Sequence, residues 1–347
     1  MIKNGELGLL VRMVAAYVGS IIGAGFASGQ EILQFFMLFG YKGLLGVVVA
    51  TVFFAYLGAM VLYLSVKFRS VNYQPVLTYL LGPWGSRLMD GLNLFMLTGG
   101  LGIMLAGTGA VINQYLGLSP WFGIGVALIT IFIVVLNGLQ GFLTVNVLLV
   151  PVKFLAICLI TVLVLGMYGL PTNIPELNKG VSGNWFLGTL LYISYNIPLA
   201  VLCTTGRIIN KRIAITAGLL GGLGMGLSIG LVALSGLVFY PEVANYQVPM
   251  LFISSQVSQL LKPLFAFIIW LAMLTNAIAN THAIASRLAP QGGRRYSFIG
   301  MAVCLIVLPL TYLDFPTLIR VLYPLFGLAG IVLLGSLLIV PVRSKIY

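Results

Sequence analysis

Residues 8–38 form a hydrophobic segment long enough to cross a membrane, yet its middle reads Gly19-Ser20-Ile21-Ile22-Gly23-Ala24-Gly25-Phe26-Ala27-Ser28-Gly29-Gln30-Glu31. Each glycine weakens a helix interior by about 1 kcal/mol relative to alanine. In hydrocarbon a freed N–H or C=O must find a partner, so unwound backbone persists only inside protein or beside a polar cavity. A break of this kind in a hydrophobic helix is the sequence mark of a transporter's binding site. The other reading is a close-packing face of small residues. Ser28, Gln30 and Glu31 follow the glycines at once, and lipid packing has no use for them.

The remainder of the 347 residues sets the class: 60% are hydrophobic and 7% charged, as in a multi-spanning membrane protein. Runs of about 20 apolar residues predict ten spans, near 8–38, 43–66, 88–116, 121–137, 142–168, 185–208, 213–239, 262–288, 297–313 and 316–340. With the N-terminus inside, the cytoplasmic segments hold Lys3, Arg12, Lys67, Arg69, Arg87, Arg207, Lys211, Arg212, Arg287, Arg294, Arg295, Arg343 and Lys345. The opposite side holds Lys42, Lys179 and Lys262. This asymmetry follows the positive-inside rule and predicts both termini in the cytoplasm. The net charge of +12 is therefore topological and does not point to nucleic acid. The expected setting is the plasma (inner) membrane, with the lipid bilayer as surroundings and no protein partner inferred.

Little else suggests chemistry. Cys158, Cys203 and Cys304 lie within spans, lack metal-ligand spacing and read as small packing residues. No cleavable signal peptide is expected, because the first span is too long and lacks a small-residue cleavage pattern. No Ser-His-Asp set, carboxylate pair or phosphate loop is apparent, so an enzyme is not expected and no cofactor is implied beyond a possible Na⁺. His282 is the single histidine, and near a helix end it reads as structural or interfacial before it reads as a proton relay.

Two halves can be distinguished. Residues 1–168 carry five spans, 169–184 form a loop with Pro171 and Pro175, and 185–347 carry five more. Five is odd, so the second half enters the membrane inverted, as in an inverted repeat. The sixth span carries Tyr192-Ile193-Ser194-Tyr195-Asn196-Ile197-Pro198, which places Asn and Pro in mid-span as a counterpart of the first break. Proline removes a helix hydrogen bond and clashes with the carbonyl four residues earlier. A plain proline kink is the alternative.

Ten helices in a 5+5 plan, with helices 1 and 6 broken, resemble the LeuT fold of the amino acid–polyamine–organocation superfamily. Gly19-Ser-Ile-Ile-Gly-Ala-Gly25 is similar to the Gly-x-x-x-Gly-x-Gly run of sodium-coupled LeuT-type transporters, and residues 20–31 resemble YkvI-type amino-acid permeases of bacteria. The resemblance implies that main-chain N–H groups of Gly23, Ala24 and Gly25 hold a substrate carboxylate, aided by the helix-start dipole. It further implies that Ser194, Tyr195 and Asn196 complete the pocket. Phe26 stands where LeuT-type proteins place an asparagine for a first sodium ion, which speaks against that ion site.

The eighth span contains Ala272, Thr275 and Asn276, whose i, i+3, i+4 spacing shares one helix face. The set is similar to the Ala-x-x-Thr-Ser pattern of a second sodium site, whose other ligands by resemblance are the carbonyls of Gly19 and Ile22. About five oxygens suit a hard cation. Ordinary interhelical hydrogen bonding by Thr275 and Asn276 is the alternative, and Ala277, Asn280 and Thr281 repeat the spacing one turn lower. Against sodium stands Lys153, about eleven residues into the fifth span and so ~16 Å deep. An intramembrane cation costs at least ~2.5–3.5 kcal/mol on insertion scales. Lys153, following Asn146, resembles the lysine of sodium-independent permeases, whose ammonium stands in for the ion; a structural ammonium capping loose carbonyls is the alternative. A fixed ammonium and Na⁺ would repel strongly in one cavity.

Glu31 and Arg320 lie at membrane depth on the extracellular side of the first and tenth spans. In the resembled family oppositely charged residues on these helices close the outer vestibule, although the signs here are swapped. Glu31 could instead bind protons or cap a half-helix start. Asp90, near Arg87, reads as a surface charge. Gly99, Gly100, Gly102, Gly107 and Gly109 of the third span would allow close helix approach at the pocket wall. Together these features predict a secondary active transporter of a small amino acid or related amine, working by alternating access and sodium-independent through Lys153. A Na⁺-coupled symporter using Thr275 and Asn276, and a ligand sensor on a transporter fold, are the alternatives.

Overall fold

The computed structural model describes residues 4–343 apart from 71, 138–139, 173, 175–179, 182 and 290. Lys3, Lys179, Lys345 and Pro175, and the side chains of Asn146 and Arg343, lie outside the described residues. The chain is all-helical. In order the helices are α1 Asn4–Ile21, α2 Ala24–Ser28, α3 Gln30–Phe35, α4 Tyr41–Lys67, α5 Gln74–Leu116, α6 Pro120–Asn137 and α7 Gln140–Tyr168. The second half holds α8 Trp185–Tyr195, α9 Leu199–Leu202, α10 Lys211–Val238, α11 Pro249–Val257, α12 Leu261–Leu288, α13 Gly293–Val307 and α14 Phe315–Arg343. Among the described residues eight helical stretches are long and apolar enough to cross a membrane, and α6 supplies a shorter apolar helix. This is a multi-pass membrane protein.

Small residues set how closely its helices approach. In α10, Gly218, Gly222 and Gly226 recur every four residues and share a face. A Cβ at Gly218 would strike the main chain of Gly58 and Ala59, one at Gly222 that of Phe54 and Ala55, and one at Gly226 the side chain of Thr51. Thr51, Ala55 and Ala59 have the same four-residue spacing, so two stripes of small side chains interlock with the backbones nearly touching. Van der Waals contact of this kind replaces the hydrophobic drive that lipid cannot supply. Tyr17 of α1 lies against Gly58 and Gly221, and its hydroxyl donates to the Phe54 carbonyl at 2.6 Å. The α8–α14 contact follows the same rule: Gly327 and Gly330 leave room for the main chain at Leu191 and Ser194.

The third hydrophobic helix begins earlier than the span read at 88–116. It runs from Gln74, with a kink where Gly82 takes φ 71° and ψ 176°. A positive φ suits glycine, and the following Pro83 offers no N–H to continue the ladder. The glycines on its C-terminal half receive side chains from several helices: Phe326 at Gly99, Asn280 at Gly100, Leu310 at Gly102, Met273 and Phe315 at Gly107.

Candidate functional site

The first hydrophobic segment is three helical pieces. Helix α1 ends at Ile21, because the amide of Gly23 bonds the carbonyl of Ile21 at 2.7 Å and not that of Gly19. Gly23 is extended (φ −81°, ψ −173°), and α2 resumes at Ala24 with the bond from the Ala27 amide to the Gly23 carbonyl. Among the described residues the carbonyls of Gly19 and Ile22 receive no main-chain donor. A second joint falls at Gly29, in the left-handed conformation (φ 80°), where any side chain would also meet Met250 and Pro249. Ala24 and Gly25 are thus helical residues of the first turn of α2, and the non-helical ones are Ile22 and Gly23.

In the second half α8 ends at Tyr195. Asn196 caps it by donating its side-chain amide to the Tyr192 carbonyl at 3.1 Å. Ile197 and Pro198 separate it from α9, with the Leu199 amide bonded to the Ile197 carbonyl at 2.8 Å. Ser194 and Tyr195 lie in the last turn of α8. The hydroxyl of Ser194 sits 2.7 Å from the Gly327 carbonyl and 2.9 Å from that of Leu191, so it ties α8 to α14.

Three helices meet at Glu31. Glu31 is 4% exposed, and its carboxylate accepts a hydrogen bond from the Tyr195 hydroxyl at 3.0 Å, with the Tyr323 hydroxyl of α14 beside it. The same carboxylate and phenol stand over Gly25, in the space a Cβ there would occupy. The Tyr195 and Tyr323 rings are 4.9 Å apart, with Tyr192 5.5 Å and Phe35 5.9 Å from Tyr195, and Phe326 5.8 Å from Tyr323. Sequence reasoning did not reach Tyr323. A hydroxyl-bearing ring at membrane depth, one residue before Pro324 in the tenth span, was the available signal.

The expected pairing of Glu31 with Arg320 is not made in this structure. Arg320 is exposed, while the inward face of α14 runs through Ile319, Tyr323 and Phe326, so Tyr323 takes the place beside the carboxylate. Asp90, read as a surface charge, is part-exposed and is paired. It takes a two-pronged bond from Arg287 of α12, at 2.8 and 2.6 Å, and a further one from the Tyr73 hydroxyl at 3.0 Å. Arg87 instead lies over the Trp84 ring, 5.8 Å from its centre.

The eighth-span set is partly brought to the break. Asn276 places its side-chain nitrogen 3.5 Å from where a Cβ on Gly23 would be. Thr275 is buried and donates to the Ala272 carbonyl at 3.0 Å. In the repeat one turn lower, Asn280 turns to Gly100 and Thr281 contacts Cys304, so the upper set is the one beside Gly23. Lys153 is 1% exposed on the buried stripe of α7 with Ile157, Ile160 and Val164. That helix packs chiefly on α10 and α11 and also on α12, α1 and α2, and among the described residues no acid pairs with Lys153. His282 bonds the Tyr296 hydroxyl at 2.7 Å and joins α12 to α13.

An all-α bundle with interrupted helices meeting at buried polar groups defines a class of multi-pass membrane protein, and the fold is shared with solved LeuT-fold structures. The inward-facing structure of Mhp1 matches with a TM-score of 0.59 and 13% identity, over 86% of this chain and 68% of that one; Mhp1 is described as a nucleobase-cation-symport-1 family transporter. In sequence, the uncharacterized protein YyaD of Bacillus subtilis (strain 168) is 30% identical over 352 residues, spanning 96% of this chain and 98% of YyaD. The uncharacterized membrane protein YkvI of the same organism is 27% identical over 332 residues, 94% of each chain. The chain belongs to the family of YyaD. No established protein-family profile matches it.

Proposed function

We infer that the chain is a secondary active transporter of a small amino acid or related amine, working by alternating access around the interruptions at residues 22–23 and 196–198. One observation carries the reading. The first segment gives up helix geometry at membrane depth, leaving the Gly19 and Ile22 carbonyls without main-chain donors, and a polar side chain, Asn276, comes to the break from α12. Unwound backbone at this depth is tolerated where it lines a cavity or is held in protein, and LeuT-type transporters place their substrate there. Counting the first segment and α6 with the eight long apolar stretches gives ten spans. The division at 1–168 and 185–347 then makes an inverted 5+5 repeat with both termini in the cytoplasm of a plasma-membrane protein.

For coupling, Lys153 is the group in the cation position. Its full burial on α7, a helix that touches α1, α2 and α12, supports an ammonium bridging these helices in place of Na⁺. Loss of its proton would loosen that bridge and couple transport to protons or permit exchange. A sodium symporter is the second reading, favoured by the donor-free carbonyls of Gly19 and Ile22 together with Ala272, Thr275 and Asn276. Uptake of radiolabelled alanine and of propylamine into proteoliposomes separates the readings. Uptake unchanged when K⁺ replaces Na⁺, and lost in Lys153→Ala, supports the lysine; steep Na⁺ dependence weakened by Thr275→Ala supports the sodium site. Solute binding without uptake would make the chain a sensor.

A further inference from the structure

Glu31 stands in a setting that the carboxylate-cradle reading does not absorb. A substrate carboxylate would need the face of Gly25, but Glu31's own carboxylate already lies there. A second carboxylate at that place would repel the first and compete for its phenol neighbours. The site is built to meet the opposite charge.

The site holds a carboxylate that no cation among the described residues answers. The hydrogen bond that Glu31 accepts comes from a phenol hydroxyl, and a second phenol, that of Tyr323, stands beside it over Gly25, the pattern of an acceptor-only carboxylate. Among the described residues no lysine, arginine or histidine pairs with it, and Arg320 on the nearest turn of α14 is exposed. Around the carboxylate the rings of Tyr192, Tyr195, Tyr323 and Phe35 pack at centroid separations of 4.9–5.9 Å, and ring faces attract cations, most strongly when water is excluded. Two acceptors nearby are also idle. The Gln34 side-chain oxygen, three residues along α3 and so on the same side as Glu31, has no partner, nor has the buried Tyr192 hydroxyl.

We propose that Glu31, Tyr195 and Tyr323 form the binding element for the charged nitrogen of the substrate, and that the ligand is a protonated amine that needs no carboxylate. The inference rests on the transport reading and narrows it to the amine. The carboxylate supplies the counter-charge, the rings supply cation–π faces, and Gln34 and Tyr192 supply acceptors for the remaining N–H groups. In this conformation the rings close on one another, so the amine enters as α3, α8 and α14 part.

The test uses the purified full chain in detergent, with propylammonium chloride, alanine and potassium propionate as probes in a thermal-shift assay, and uptake of the same three into proteoliposomes. Propylammonium is expected to raise Tm by several degrees and propionate not at all. Glu31→Gln, which keeps an acceptor for both phenols, should weaken propylammonium binding by at least tenfold. Tyr195→Leu should weaken it more than Tyr195→Phe, a split that a purely structural role of the hydroxyl would not give; this pair also decides the matter if Glu31→Gln fails to fold. Stabilisation by propionate alone, or a propylammonium response unchanged in Glu31→Gln, overturns the amine site. If alanine uptake persists equally in wild type and Glu31→Gln, transport stands and the amine assignment falls. If propylammonium binds through Glu31 but no probe crosses the liposome, the assignment stands and transport falls.

Discussion

At the scale of single residues, the difference between two kinds of glycine decides what substitutions will do. Gly25 faces the ends of two flexible side chains, Glu31 and Tyr323, which can swing away. Gly25→Ala should therefore fold with a Tm within a few degrees of wild type, yet displace the carboxylate and lower uptake of its substrate at least tenfold. Full uptake by a folded Gly25→Ala protein would remove this glycine from the site. Lys153 poses the opposite question, since nothing acidic among the described residues answers its charge. Lys153→Ala should abolish net uptake, whereas Lys153→Met, which keeps the apolar stem, should restore any lost stability but not the transport. Retained net uptake in both variants would assign the lysine a structural role.

At the scale of helices, the chain was legible wherever one element's own periodicity carried the information. Apolar runs placed the spans, and Gly and Pro at mid-membrane marked 19–29 and 196–198 as places where a regular helix is costly. The edges were harder. Asn4, well before residue 8, and Gln74, well before residue 88, begin helices in more polar stretches, which a hydropathy run does not register. Partnerships between helices were hardest of all. The pairing of Asp90 with Arg287, and of Glu31 with Tyr323 instead of Arg320, depends on which turn of a distant helix faces inward. The α4–α10 seam lies between these cases, because its glycines at 218, 222 and 226 carry a readable spacing, but their partners Thr51, Ala55 and Ala59 do not announce themselves. That seam gives the element-scale prediction. Gly222→Leu would drive a side chain into the backbone of α4, which cannot yield as a side-chain tip can, so the protein should fail to accumulate or lose ten degrees or more in Tm. Gly125→Leu on α6, where a side chain meets open space, is the control and should leave Tm nearly unchanged.

At the scale of the whole molecule, the proposed architecture is a statement about which side of the membrane each loop occupies. In two five-helix units of opposite orientation, the loop after the third span of one unit corresponds to the loop after the third span of the other, and the two must open to opposite faces. Here they are Gly117–Ser119, between α5 and α6, and the connection ending at Gly292, between α12 and α13. The charges fit that arrangement, since Arg294 and Arg295 stand in the first turn of α13, directly after the second loop, while the first loop has no charged residue. Leu118 and Arg294 are both exposed, so cysteines placed there should react freely with a membrane-impermeant maleimide wherever the reagent has access. With Cys158, Cys203 and Cys304 replaced by alanine, Leu118→Cys should label in intact cells and Arg294→Cys only after the membrane is opened. Labelling of both from the same side would make the number of spans between them even-handed with a parallel repeat, and the inverted 5+5 plan, with the shared midplane site that depends on it, would have to be abandoned.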